Sequence, residues 1–283
     1  MDDTSNINNR SYIGRRKQDR IYLAYLRKNI KHPLSRKLQR FITNRLFDGR
    51  VRVVSPLGAM FLLNTFDYVD QLILRQGTYE AQSIKLCNTL LKDGGNIIDV
   101  GANFGLYSIN LAKNKKTKVI AIEPNPKIFL ELDEHKKENN LQNVSLLNCA
   151  IGEKNILTGM NCPSMNNSGN CQVSTLENAR FFQSVISLQT VIEYFNLNAI
   201  KLVKIDVEGY EIQVLKGINW GEIQPENILL EFIPNQMESH NSSSEECYNY
   251  LIDKGYKAYT VNGNEFNLLQ KEIPESNIWF KKV

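Results

Sequence analysis

The chain is expected to be an α/β protein: a mostly parallel sheet covered by helices on both faces. Short apolar, strand-like runs alternate with helix-like stretches through its middle, the order that specifies parallel strands joined by crossover helices. The first of those runs ends in Asp99-Val100-Gly101-Ala102-Asn103-Phe104-Gly105, a glycine-bearing turn from strand to helix.

Residues 1–52 carry fourteen Lys/Arg against four Asp/Glu, and the rest of the 283 residues carry twenty against twenty-six. The basic character therefore belongs to an N-terminal arm, taken as residues 1–57. Within it Leu34, Leu38, Phe41, Ile42 and Leu46 recur at helical spacing while Arg36, Lys37, Arg40 and Arg45 fall elsewhere. That predicts a short cationic amphipathic helix. It could pack on the main domain with its charges solvated, dock on an anionic membrane or a lipid-linked sugar, or meet nucleic acid, the last being disfavoured.

From residue 58 to 283 one domain is expected. Strands are read at 96–100, 118–122, 144–148, 202–207, 227–232, 257–261 and 278–281, and helices at 106–113, 126–140, 210–216 and 245–254. The Asn-, Ser- and Gly-rich stretch 159–175 interrupts this rhythm and reads as a loop or short hairpin.

With 42% hydrophobic and 23% charged residues the chain is globular rather than disordered. No apolar run approaches the roughly 20 residues of a bilayer span. The opening MDDTSNINNRSYIGRRK lacks the apolar core of a secretory signal, so a cytoplasmic address is expected, with peripheral contact at the inner membrane face through the arm. Five cysteines form no C-x-x-C pair and no zinc-like cluster with the three histidines. Reduced thiols are expected, although Cys162 and Cys171 are close enough in sequence to bridge.

The turn at Gly101 and Gly105 lets backbone approach a ligand closely, and the helix behind it offers free amide donors. A dinucleotide fingerprint places glycine at the first, third and sixth positions, which here are Gly101, Asn103 and Leu106. Pyrophosphate fits poorly. The pattern suits a nucleoside without phosphates whose cationic amino-acid tail faces an acid such as Asp99, and S-adenosylmethionine is such a ligand. Glu123 ends the next strand, where a carboxylate accepts both ribose hydroxyls. Asn148, Cys149, Ala150 and Ile151 would line the adenine side. Lys204, Asp206 and Glu208 alternate along the fourth strand and so share one face at its carboxyl end, where open α/β sheets bind ligands. Either they serve chemistry, with Glu231 adding a carboxylate, or Lys204 and Asp206 are a buried structural ion pair.

The segments IIDVGANFG, AIEPNP, VSLLNCAIG and LVKIDVEGYEIQVLKG resemble the FkbM family of S-adenosylmethionine-dependent methyltransferases. The resemblance runs from about residue 58, through FLLNTFDYVDQLILRQGTYE, to about residue 259. It implies a class I methyltransferase fold: a Rossmann-like, seven-stranded sheet whose last strand is antiparallel. It also implies O-methylation, often of sugars in glycans or glycolipids or of natural products. By that resemblance Asp99, Gly101, Asn103, Gly105, Glu123 and Asn125 hold the cofactor, Tyr79-Glu80 flanks it, and Lys204, Asp206, Glu208 and Gly209 face cofactor and acceptor. The family's Thr-Leu-Asp before the fourth strand is Ser187-Leu188-Gln189 here, which puts any role of that acid in doubt.

The expected reaction is attack of an acceptor hydroxyl on the sulfonium methyl, with Asp206 or Glu208 as general base. A Mg²⁺ ion held by Asp206, Glu208 and Glu231 is a competing arrangement. Small-molecule natural-product methylation uses the same chemistry. Adenine-type N-methylation is disfavoured, because Asp206-Val207-Glu208-Gly209 stands where that chemistry usually brings an Asn/Asp-Pro-Pro-aromatic motif. A non-enzymatic nucleoside-binding module is the alternative outside catalysis.

Overall fold

The computed structural model describes residues 11–27, 41, 45, 47, 49–162, 172–174, 176–239, 242–268 and 277–283. Its centre is a seven-stranded sheet of β1 (Gly95–Val100), β2 (Thr117–Ile122), β3 (Val144–Leu147), β4 (Leu202–Ile205), β5 (Asn227–Glu231), β6 (Tyr256–Thr260) and β7 (Asn277–Lys282). The spatial order is β6-β7-β5-β4-β1-β2-β3. Strands β1 to β5 pair in parallel, and β7 runs antiparallel to both neighbours. Ile97, Ile98, Val119, Ile120, Val203, Ile205, Ile228 and Leu230 are all buried, as expected of β-branched-rich strands covered on both faces. The seven expected strands are found within two residues of their expected limits. Successive strands leave β1 and β4 in opposite directions, so a crevice opens beyond their carboxyl ends.

Two smaller sheets were not anticipated. One is antiparallel and joins Ile13–Gly14, Arg50–Val54 and Met60–Asn64. It spans residue 57, and Tyr12, Tyr22, Leu23, Val51 and Val53 share a buried cluster with Phe61, Phe104 and Leu106. The expected cationic helix at 34–46 lies, apart from Phe41 and Arg45, outside the described residues. The other sheet orders Ala150–Gly152, Phe181–Ser187, Ile156–Asn161 and Gln172–Ser174 side by side. Its Gln172–Ser174 and Ile156–Asn161 strands pair antiparallel, so of the two readings of the stretch 159–175, a loop or a short hairpin, the described residues agree with the hairpin.

His135, buried on the helix Pro126–Glu138, ties the amino-terminal sheet to the glycine turn. Its Nδ1 lies 2.8 Å from the Phe104 carbonyl, and its Nε2 accepts the Leu62 N–H at 3.0 Å. The ring is therefore neutral with the proton on Nδ1, and burial lowers its pKa. Asn139, beside it, accepts the Met60 N–H at 2.8 Å and donates to the Met60 carbonyl at 2.7 Å.

Cys87, Cys149 and Cys247 are free and buried. Cys162 is disulfide-bonded, which corrects the expectation of five thiols: an odd total does not forbid one bridge. Cys171 lies outside the described residues. Among the described residues no helix is long and apolar enough to cross a membrane.

Candidate active site

A cleft of about 200 Å³ opens at the carboxyl ends of β1, β2, β4 and β5. It brings together Glu80, Gly101, Asn103, Glu123, Ala150, Lys204, Asp206 and Glu208. Asp99, Gly105, Asn125 and Asn148 do not line it, and each has other work. Asp99 is fully buried behind the turn and accepts the Ser108 N–H at 3.1 Å and hydroxyl at 2.5 Å. Gly105 has φ 97°, and a Cβ there would press on Leu132 and Ile109. Asn125 caps the helix Pro126–Glu138, accepting the Lys127 N–H at 3.0 Å. Asn148 donates to the Glu123 carbonyl at 2.8 Å and so braces β3 against β2.

On the β1–β2 side the backbone does the positioning. Gly101, at φ 76°, sits where a Cβ would run into the Asp206 carbonyl oxygen, so this glycine allows the ends of β1 and β4 to meet. Asn103 is left-handed at φ 51°. Its N–H and that of Asn125 each donate to one oxygen of Glu123, both at 2.8 Å. Burial pushes the Glu123 carboxyl up to about 7, the two amides holding it below what burial alone would give. A carboxylate offers about four lone-pair sites, so two remain for the hydroxyls of a ribose.

On the β4–β5 side charges position one another. The Lys204 ammonium, 3% exposed, lies 2.8 Å from Asp206, 3.8 Å from Asp99 and 3.3 Å from the Gly101 carbonyl. It also sits 4.9 Å above the Tyr107 ring. Burial works against an ionised Asp206, but Lys204 and hydrogen bonds from Glu231 and Lys204 outweigh it and hold the pKa low. Glu231 moves the opposite way, raised by burial and by Asp206, so this pair keeps one proton, on Glu231. Glu208 accepts from Gln236 Nε2, and burial together with Asp206 pushes its carboxyl up to about 8. The environments thus divide the work between the two expected bases: Asp206 stays ionised, and Glu208 titrates near neutrality.

Among the described residues the non-glycine positions with positive φ are Glu80, Asn103, Asn140, Asn196 and Glu208. Asparagine tolerates this conformation, whereas a left-handed glutamate stores strain of about 1–3 kcal/mol. Both such glutamates face the cleft. Glu80 reaches it from the start of the helix Ala81–Leu90, accepts the Tyr107 hydroxyl, and is raised by burial and by Asp206.

The lining fits S-adenosylmethionine in three respects. Glu123 offers a diol acceptor, Ile122, Cys149 and Ile151 offer apolar surface for a base, and Glu80 offers a carboxyl for a cationic tail. The Mg²⁺ arrangement does not fit. Asp206 and Glu231 face each other across a proton, Lys204 already neutralises Asp206, and no metal-holding group occurs among the described residues. Sequence reasoning missed Tyr107, Gln236 and Glu211. Only Glu211 had a signal, its place in the VEGYE run.

A family model described as the methyltransferase FkbM domain matches residues 99–258. Methyltransferase 1 of Beauveria bassiana (strain ARSEF 2860) is 24% identical over 163 residues, covering 49% of this chain and 65% of its own length. The chain thus covers just under two thirds of that relative. Among solved structures, precorrin-6y C5,15-methyltransferase from Geobacter metallireducens GS-15 superposes with a TM-score of 0.41 at 15% identity, covering 74% of this chain and 88% of that one. TYW2 from M. jannaschii, in complex with AdoMet, gives a TM-score of 0.40 at 14% identity, covering 83% and 87%.

Proposed function

The chain belongs to the FkbM family of S-adenosylmethionine-dependent methyltransferases, and from that premise we propose that it methylates a hydroxyl of a sugar in a glycan or glycolipid. The observation that carries O-methylation is Glu208: a strained, left-handed carboxyl in the cleft whose pKa is pushed up to about 8. A base poised near the working pH is what removing a hydroxyl proton requires. Bound S-adenosylmethionine supplies a methyl group on positively charged sulfur.

The chain's own residues do the rest. Glu123 holds the ribose hydroxyls, and Glu80, fixed by Tyr107, meets the cationic tail. Asp206 and Lys204 set the local charge, and Glu208 takes the acceptor's proton as its oxygen attacks. Alignment of the two reactants is worth about 7–11 kcal/mol. The sugar reading is supported by Tyr68, Tyr79 and Tyr210 around the cleft, since the C–H faces of a sugar ring pack on aromatic rings.

The test is transfer of labelled methyl from S-adenosylmethionine to a purified glycan pool. Donor uptake without transfer to any hydroxyl would leave only a nucleoside-binding module. Recruitment of the basic residues to an anionic membrane or lipid-linked sugar belongs to the same proposal, and co-sedimentation with anionic vesicles that is lost at high salt checks it.

A further inference from the structure

The loop that carries Glu208 is held from within by a residue that never reaches the cleft. Glu211 opens the helix Glu211–Lys216 and is 1% exposed. Its Oε1 accepts the Val207 N–H at 3.1 Å and the Gly209 N–H at 3.2 Å, the amides on either side of Glu208. Its Oε2 is buried and has no hydrogen-bond partner among the described residues. Glu208 and Gly209 are both left-handed, at φ 57° and 103°, a turn that neither adjoining element continues. Other hold points lie outside it: Gln172 Nε2 donates to the Glu208 carbonyl and the Ser242 hydroxyl to the Gly209 carbonyl, both at 3.3 Å. Without Glu211, two amides of this turn would be left without their acceptor, and the strain at Glu208 would be opposed only by the bonds to its carbonyl, its carboxyl and the Gly209 carbonyl.

We propose that Glu211 is a positioning residue for the methyl transfer: its carboxyl clamps the Val207 and Gly209 amides and so keeps Glu208 in the left-handed conformation that aims its carboxyl into the cleft. The inference rests on Glu208 acting as the base. It predicts a loss confined to turnover, because Glu80, Gly101 and Glu123 lie on other segments. An amide carbonyl offers the same acceptor as Oε1, so Glu211→Gln retains the clamp and Glu211→Ala removes it.

The experiment combines four proteins, wild type, E211Q, E211A and E208Q, with the double variant E208Q/E211A. Methyl transfer, donor affinity by calorimetry and backbone amide exchange are measured on each. We expect E211A to lose about a hundredfold in turnover, the scale of misplacing a reacting group by an ångström. Its donor affinity should stay within about threefold of wild type on the same geometric grounds. Exchange should speed up at residues 207–210, and E211Q should recover most of the turnover. Once E208Q has removed the base, adding E211A should cost nothing more, since a clamp without its object is silent. The proposal is overturned if the E211A loss multiplies that of E208Q, if E211Q fares as badly as E211A, or if exchange at 207–210 is unchanged. Full turnover in E208Q would overturn the base assignment and this inference together, whereas a large E208Q loss with an additive E211A loss overturns the inference alone.

Discussion

On the β1–β2 wall of the cleft the carboxylate of Glu123 is gripped by backbone amides, whereas on the β4–β5 wall Asp206, Glu208 and Glu231 are held by Lys204, by Gln236 and by one another. The first wall is rigid and prepared for a ligand of fixed shape. The second is a set of coupled charges in which moving one proton alters the others. In the proposed function, binding and chemistry are thus separated in space, and variants of the two walls should fail differently.

The hardest blow should fall where the walls touch. Gly101→Ala places a methyl against the Asp206 carbonyl at a positive φ, and we expect a loss of more than about 4 kcal/mol, seen as a collapsed melting transition. Next, Glu208→Gln should lower methyl transfer by roughly 10² to 10⁴-fold while calorimetry finds donor affinity intact. Equal losses in turnover and affinity would erase the distinction between the walls. Glu123→Gln should do the reverse, weakening donor binding by about 10 to 100-fold through a lost charged hydrogen-bond acceptor. The same group predicts a pH effect. Ribose hydroxyls donate best to the ionised carboxylate, whose pKa in the free protein is about 7. Donor affinity should therefore rise between about pH 6 and pH 8 in wild type and stay flat in Glu123→Gln.

The smallest effect concerns the support behind the first wall. Burial keeps His135 neutral, with its pKa below the ordinary value. Below about pH 6.5 the unfolded chain binds a proton that the folded one refuses, so stability falls with falling pH by at most about 1.4 kcal/mol per unit. The raised carboxyls of Glu123, Glu208 and Glu211 titrate with the opposite sign. The difference between wild-type and His135→Gln denaturation curves across pH isolates the histidine.

The central sheet was legible because its strands are continuous β-branched runs separated by helical periods. The amino-terminal sheet was not: in Arg50-Val51-Arg52-Val53-Val54 the alternation that buries Val51 and Val53 was masked by reading the arginines as part of a charged arm. On the β4–β5 wall, alternation alone put Lys204 and Asp206 together. It could not say which carboxyl would hold its proton, because that depends on Glu231 and on burial contributed by distant segments. Asn125 was expected at the cofactor and instead caps a helix, a role that an asparagine before proline at a helix start can fill but that was not read from the sequence. The role of Asp99 was not legible, since its partner Ser108 lies on the next element and nothing in the spacing announces it.

Strand Arg50–Val54 is the hydrogen-bonded neighbour of Met60–Asn64, which His135 and Asn139 grip from its other side. A shortened version beginning after residue 57 would bare that edge and invite self-association. Questions about the lysines and arginines near the amino end are therefore better put by swapping their charges than by trimming the polypeptide.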